Sequence, residues 1–296
     1  MKFRAKAVDL VFIRTFSQLL SALSRCSRNF VLRITPDKLI FVLSDKEAAN
    51  AASSVSAWGE IPRDPYFSEY AMEGVSPEDN EIYLEISPEK IAGCLSTLRS
   101  SHNVAGLKIK LTKKFVPCLT FETEFQSINS TPTCVHDVPV VLVVRRMWSH
   151  YQDPDVPPFD ISVGMPELKM VRLALDRMKN LGPRLTIRAS RQGKLSLSVD
   201  SYNVKCTVKF NDLRVYDLSD GDVQESENVE EDITQNPNVQ FSVEVDMKTI
   251  IQTISSDLQK PSNFIGSLCD TRRLHLYFLY GDISLQYSIP SVGVDS

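Results

Sequence analysis

The chain has 296 residues, with 33 Lys and Arg against 37 Asp and Glu, 43% apolar residues and only 11 Gly. That length suits about two domains and that apolar fraction a real core, which excludes a disordered, collagenous or disulfide-dense secreted chain. The longest apolar run, VPVVLVV at 138–144, falls far short of the roughly 20 residues a membrane span needs, and MKFRAKAVDL at the start lacks the apolar stretch of a signal peptide, so a soluble intracellular protein is expected.

In chain order, the first alternating segment is KFRAKAV (2–8), where apolar and polar residues exchange as in a half-buried strand. A helix is predicted at about 10–25, with Phe12, Phe16, Leu19, Leu20 and Leu23 on one stripe and Arg14, Gln18, Ser21 and Arg25 on the other, Arg28 just beyond. Strands FVLRITP and KLIFVLS follow. The pattern then repeats: strand EIYLEIS (81–87), a helix at 88–100 with Lys90 and Arg99 flanking Ile91, Leu95 and Leu98, then LKIKLT and CLTFETEF. A connector with three prolines and no strand pattern, RRMWSHYQDPDVPP (145–158), marks a domain boundary.

The second half repeats the order. Strand FDISVGM (159–165) leads to a helix at 166–181, where Lys169, Arg172, Asp176 and Lys179 share a face, and then to RLTIRAS, KLSLSV and NVKCTVKF. An acidic stretch, Val215 to Asn238, holds eight acids and no Lys or Arg and reads as a solvated surface loop. FSVEV (241–245) precedes a helix at 246–259, where Lys248, Gln252, Ser255 and Gln259 oppose Met247, Ile250, Ile251, Ile254 and Leu258; NFIGSLC, RLHLYFLY and DISLQYSI close the chain. Four strand–helix–three-strand units predict an α+β fold, two units per domain, with antiparallel sheets and helices on one face. The domains are placed at 1–144 and 159–296.

Chemistry-bearing residues do not cluster. Cys26, Cys94, Cys118, Cys134, Cys206 and Cys269 are scattered, with no CxxC and no His at ligand spacing, and read as small buried hydrophobes rather than metal ligands. His102, His136, His150 and His275 are also dispersed, and no glycine-rich phosphate loop occurs, so no cofactor is expected. A metal-dependent nuclease would need convergent carboxylates; Asp37, Asp45 and Asp79 sit near turns, where aspartates bond their own backbone. Outside the acidic stretch the chain is net basic, 33 Lys and Arg against 29 acids. Basic helix faces without aromatic interleaving suit phosphate contact rather than base reading.

The stretches MKFRAK (1–6), LRITPDKLIFVLSDK (32–46), YAMEGVSPEDNEIYLEIS (70–87), LKIKLT (107–112), PCLTF (117–121), HDVPV (136–140) and LQYSIP (285–290) carry a family resemblance. The chain resembles DNA sliding clamps of the PCNA type, and among them the Hus subunits of the nine-one-one DNA-damage checkpoint clamp. The acidic stretch and the sequence at 47–57 depart from the family pattern. The resemblance implies a nuclear, heterotrimeric ring with Rad-one-type and Rad-nine-type subunits. A clamp loader places such a ring around double-stranded DNA without sequence specificity, where it supports checkpoint signalling and recruits repair enzymes. A homotrimeric processivity clamp is the alternative.

On this reading Arg14, Arg25, Arg28, Lys90, Arg99, Lys169, Arg172, Lys179 and Lys248 face the DNA channel. Subunits pair through edge strands at Val135–Val144, with Val138, Val140, Val141 and Leu142, and at Tyr202–Phe210, with Val204, Cys206 and Val208. In clamps of this kind the connector borders an apolar pocket for client peptides, so Trp148, Tyr151, Val156 and Phe159 are either docking residues or pins that hold the connector on the sheet.

Overall fold

A computed structural model of the chain describes residues 1–27, 29–43, 55–99, 103–126, 132–153, 158–217, 224–225, 239–254 and 259–292. The chain divides into two compact units, Met1–Ser44 with Ala57–Pro154, and Asp155–Ser256 with Lys260–Ser296.

In the first unit, β1 (Lys2–Ala7) leads into α1 (Leu10–Ser24), and β2 (Phe30–Ile34), β3 (Lys38–Leu43), β4 (Ser56–Pro62) and β5 (Glu69–Glu73) follow. Next come β6 (Ile82–Ile86), α2 (Pro88–Leu95) with a 3-10 turn at Ser96–Arg99, β7 (Val104–Lys113), β8 (Pro117–Phe125), β9 (Thr133–Pro139) and the short β10 (Val141–Leu142). α1 begins where Asp9 accepts hydrogen bonds from the amides of Val11 and Phe12, both at 3.1 Å, satisfying two otherwise orphaned helix donors. α2 begins at Ser87 with Pro88 in its first turn, where a missing N–H costs nothing.

Strand pairing interlocks the two repeats. β1 pairs with β7, so the first repeat's leading strand joins the second repeat's sheet, ordered β5-β1-β7-β8-β9. β6 in turn pairs with β2, giving the order β10-β6-β2-β3-β4 in the other sheet. Each helix therefore crosses between the two sheets. Phe12, Phe16, Leu19, Leu20 and Leu23 of α1 are all buried, as the periodicity predicts, and each contributes on the order of 1.5–3 kcal/mol by leaving water. Ser17 and Ser21 are buried too, because α1 lies against α2: Ser17 Oγ donates to the Leu95 carbonyl at 2.9 Å.

The second unit repeats the exchange with β11 (Ile161–Gly164), α3 (Leu168–Met178), β12 (Arg184–Ser190), β13 (Lys194–Ser201), β14 (Val204–Phe210), β15 (Val215–Asp217) and β16 (Gln224–Glu225). After these come β17 (Gln240–Asp246), α4 (Met247–Thr253), β18 (Asn263–Cys269), β19 (Arg273–Tyr280) and β20 (Ile283–Pro290). β17 joins β12 in the sheet β14-β13-β12-β17, while β11 pairs with β18 and β15. α4 is shorter than its apolar spacing suggests. Asp246 caps its start by accepting from Thr249 N at 2.8 Å, and Ile254, with ψ of 51°, has left the helix.

Three expectations change. β5 is a strand outside the strand–helix–three-strand pattern, whereas β4 supplies the third strand of the first repeat. The proposed edge Val135–Val144 is not one strand: β9 ends at Pro139, Val140 is buried, and Val141 and Leu142 pair with β6 in the other sheet. Pro139 supplies no N–H to continue the ladder. The first half of the connector is also ordered, as a 3-10 helix at Arg145–Tyr151 built onto the first unit.

Candidate nucleic-acid interface and assembly edges

The helix cations divide into two groups. Arg25 at the end of α1, Lys90 on α2, Lys169 and Lys179 on α3, and Lys248 on α4 are exposed, and Lys179 bonds Asp176 within its own turn at 2.9 Å. Arg14 and Arg172 are half-buried instead. Arg172 Nε donates to the Ile254 carbonyl at 3.3 Å, so this side chain satisfies an acceptor just past the C-terminus of α4. It is thus a structural tie as well as a cation, a correction to its placement on an open face. Arg28, Ser255 and the Arg99 side chain lie outside the described residues. The exposed face of α3 also carries Met170 and Leu173, 48% and 45% exposed, which a reading by charge alone missed.

The two proposed assembly edges occupy matching places. β9 is the outer strand of β5-β1-β7-β8-β9, and β14 is the outer strand of β14-β13-β12-β17. On β9, Val138 faces the core and Val135 is exposed; on β14, Cys206 and Val208 are half-buried while Val204, Lys205, Thr207 and Lys209 are exposed. An outer strand leaves a row of backbone donors and acceptors for another chain to pair. Cys134 and Cys206 thus lie on outer strands, Cys134 exposed with Sγ 3.2 Å from His136 Nε2, and neither fits the expectation of buried cysteines.

The outward face of the first unit's sheet is closed by ion pairs. Lys2 bonds Glu73, Arg4 meets Glu69, Lys6 and Lys108 share Glu124, Lys110 bonds Glu122, and Lys114 bonds Asp137. The hydrogen bonds from Lys108 and from Lys114 hold Glu124 and Asp137 below the usual carboxylate range, Thr120 also donating to Asp137.

The connector resolves in favour of packing. Trp148 is 9% exposed and Tyr151 1%, and both belong to a cluster with Val31, Ile40, Val42, Trp58 and Tyr83. Trp148 stacks on Tyr83 with centroids 4.5 Å apart and an interplanar angle of 23°, and its Nε1 donates to the Val143 carbonyl at 3.0 Å. Just beyond, Gln152 donates to Tyr83 OH at 3.1 Å and Asp153 pairs with Arg33 at 3.0 Å. Arg33 also holds Glu81 at 2.8 Å; burial alone would raise the Glu81 pKa, but hydrogen bonds from Arg33 and Tyr83 keep it low. Trp148 and Tyr151 are therefore pins and not exposed docking residues. Val156 lies outside the described residues, and Phe159 is half-buried against His275 in the second unit, centroids 5.2 Å apart.

Asp79 donates its backbone N–H to the Ser76 hydroxyl at 3.1 Å and its carboxylate pairs with Arg145, and Asp45 lies outside the described residues. Among the described residues, no group of three His, Cys, Asp or Glu side chains could hold a metal ion.

The family model described as Hus1-like protein matches residues 1–293. The chain belongs to the Hus1-like family. It is 36% identical to the human protein named Checkpoint protein HUS1 over 99% of this chain and 100% of that one. It is 25% identical to the Schizosaccharomyces pombe protein named Checkpoint protein hus1, over 95% and 94% of the two chains. Among solved structures, the Proliferating Cellular Nuclear Antigen of Entamoeba histolytica superposes with a TM-score of 0.69 at 14% identity over 98% of each chain. PCNA of Thermococcus kodakaraensis gives 0.67 at 12% identity over 97% and 99%. This Hus1-like chain therefore has the sliding-clamp fold, in agreement with the α+β architecture read from the repeats.

Proposed function

We propose that this chain is a non-enzymatic subunit of a heterotrimeric ring clamp that encircles double-stranded DNA at damage sites in the nucleus. Its partners on this reading are one Rad-nine-type and one Rad-one-type subunit, placed on DNA by a clamp loader, and the closed ring supports checkpoint signalling and recruits repair enzymes. The observation that carries the reading is the full-length Hus1-like match on a sliding-clamp fold. Exposed Lys and Arg on the helices suit sequence-independent screening of phosphates, and outer strands β9 and β14 suit head-to-tail pairing, which closes a ring when the rotation permits. A homotrimeric clamp is not favoured: the full-length relatives are checkpoint proteins, whereas the PCNA structures share only 12–15% identity.

Topology provides the test. The assembled ring, loaded on nicked circular DNA, should remain bound at high salt and fall off when the circle is cut open. Loss at the same rate from both forms would contradict encirclement.

A further inference from the structure

The corresponding outward sheet face of the second unit is built differently from that of the first. In the first, β8, next to the outer strand β9, turns Glu122 and Glu124 outward to meet Lys110, Lys108 and Lys6. In the second, β13, likewise next to the outer strand, places Ser196, half-buried, and Ser198, 4% exposed, on that face. Register places Lys209, Ser196, Arg188 and Ser242 in one row across β14, β13, β12 and β17. Arg188 is exposed, and its Nη1 bonds a hydroxyl, Ser198 Oγ at 3.1 Å, where the first unit would offer a carboxylate.

Two more cations stand at the same end. Gly193, with φ of +69°, closes the β12–β13 turn against Leu213, where a Cβ would meet the Leu213 carbonyl oxygen at 2.2 Å. That turn sets Arg191 and Lys194 beside the row, both exposed. Among the described residues, none of Arg188, Arg191, Lys194 and Lys209 has a carboxylate within ion-pair distance. Acids near this sheet have other partners: Asp200 pairs with Lys205 at 3.0 Å, Glu244 with Arg184 at 3.7 Å, Asp246 caps α4, and Asp270 accepts from the Ser242 amide at 2.7 Å at the end of the row.

We infer that this face is a docking site for a phosphorylated peptide, with Arg188 and Lys209 holding the phosphate and the Ser196 hydroxyl between them. A phosphoserine or phosphothreonine brings about −1.5 to −2 charge and three acceptor oxygens, which match a guanidinium, an ammonium and hydroxyls. Size and shape select the peptide over nucleic acid. Arg188 and Lys209 are two strands apart, about 10 Å at 4.7–4.9 Å per strand, a span suited to one or two phosphates rather than the long stripe a duplex backbone requires. The row carries no aromatic platform for stacking the bases of a single strand. The site lies on the sheet's face and leaves the β14 edge open, so it does not depend on the ring reading.

The test is titration of the full chain with a short labelled peptide bearing two phosphoserines, against the same peptide unphosphorylated and with Asp at both positions. The phosphopeptide should bind, the other two should bind at least about tenfold more weakly, and R188Q/K209Q should lose about tenfold or more, as loss of charge-assisted hydrogen bonds implies. K194Q, a milder change at the same end, should lose less, while K110Q in the first unit should lose nothing. Equal affinity for the Asp peptide, or an unchanged affinity in folded R188Q/K209Q or K194Q, would overturn the site. A single-stranded oligonucleotide of equal charge that bound more tightly, with the same loss on mutation, would overturn the phosphopeptide in favour of nucleic acid.

Discussion

Replacing Trp148 with Ala tests whether the connector is a structural part of the first unit. The indole is almost wholly buried, stacks on Tyr83 and donates to the Val143 carbonyl. Truncating a large buried aromatic costs about 3–5 kcal/mol, and the lost hydrogen bond with its stranded carbonyl falls within that range at about 1 kcal/mol. For a unit of this size each kcal/mol moves Tm by about 2–4 °C, so a fall on the order of 10 °C is expected. Trp148→Phe separates the two contributions, because it keeps a stacking ring and removes only the donor and part of the area; it should cost about 1–2 kcal/mol. Calorimetry and urea unfolding on the full chain would measure both variants. A loss below about 1 kcal/mol for Trp148→Ala would refute the packing, and would return the connector to the role of a detachable docking strap.

Removing Arg33 should leave Glu81 half-buried without its cation and release Asp153, costing about 2 kcal/mol and raising the Glu81 pKa, which urea unfolding and carboxylate titration by NMR would detect. Burial of His275, with Arg273 nearby and despite a hydrogen bond with Gln286, lowers its pKa from 6.5 to about 4. The unfolded chain then binds more protons between those values, so stability is full above pH 6.5 and falls by up to about 3 kcal/mol as pH drops to 4. His275→Gln should flatten that part of the stability–pH curve; an unchanged curve would show that His275 does not titrate this way. Exchanging Lys169, Lys179 and Lys248 for Gln in the assembled ring should weaken DNA binding and reduce the log–log salt slope by about 0.9 per lost phosphate contact. An unaltered slope would remove these lysines from the DNA face.

Much of the fold was legible because its periodicities are strong. The four leading strands and the five apolar residues of α1 follow from spacing alone. The exchange of leading strands between repeats was not legible, since a period of two says which face of a strand is buried and nothing about which sheet it joins. β5 alternates cleanly, with Tyr70 and Met72 half-buried between exposed neighbours, yet a short outer strand paired only to β1 carries little apolar signal. The connector misled through its prolines: Pro154, Pro157 and Pro158 lie at its far end, while Met147, Trp148 and Tyr151 supply enough apolar area to order the near end. Charge spacing on helices put Arg172 on a basic face. It could not show that Arg172 reaches the Ile254 carbonyl, a contact between residues 82 positions apart.

The central claim is heterotrimeric ring formation, and native mass measurement tests it most directly. The chain should be co-expressed with a Rad-nine-type and a Rad-one-type subunit and the intact assembly weighed. The account predicts a single species with one copy of each subunit, and no closed trimer from this chain alone. A stable homotrimer of the 33.3 kDa chain, or a chain that stays apart from both subunits, would contradict it.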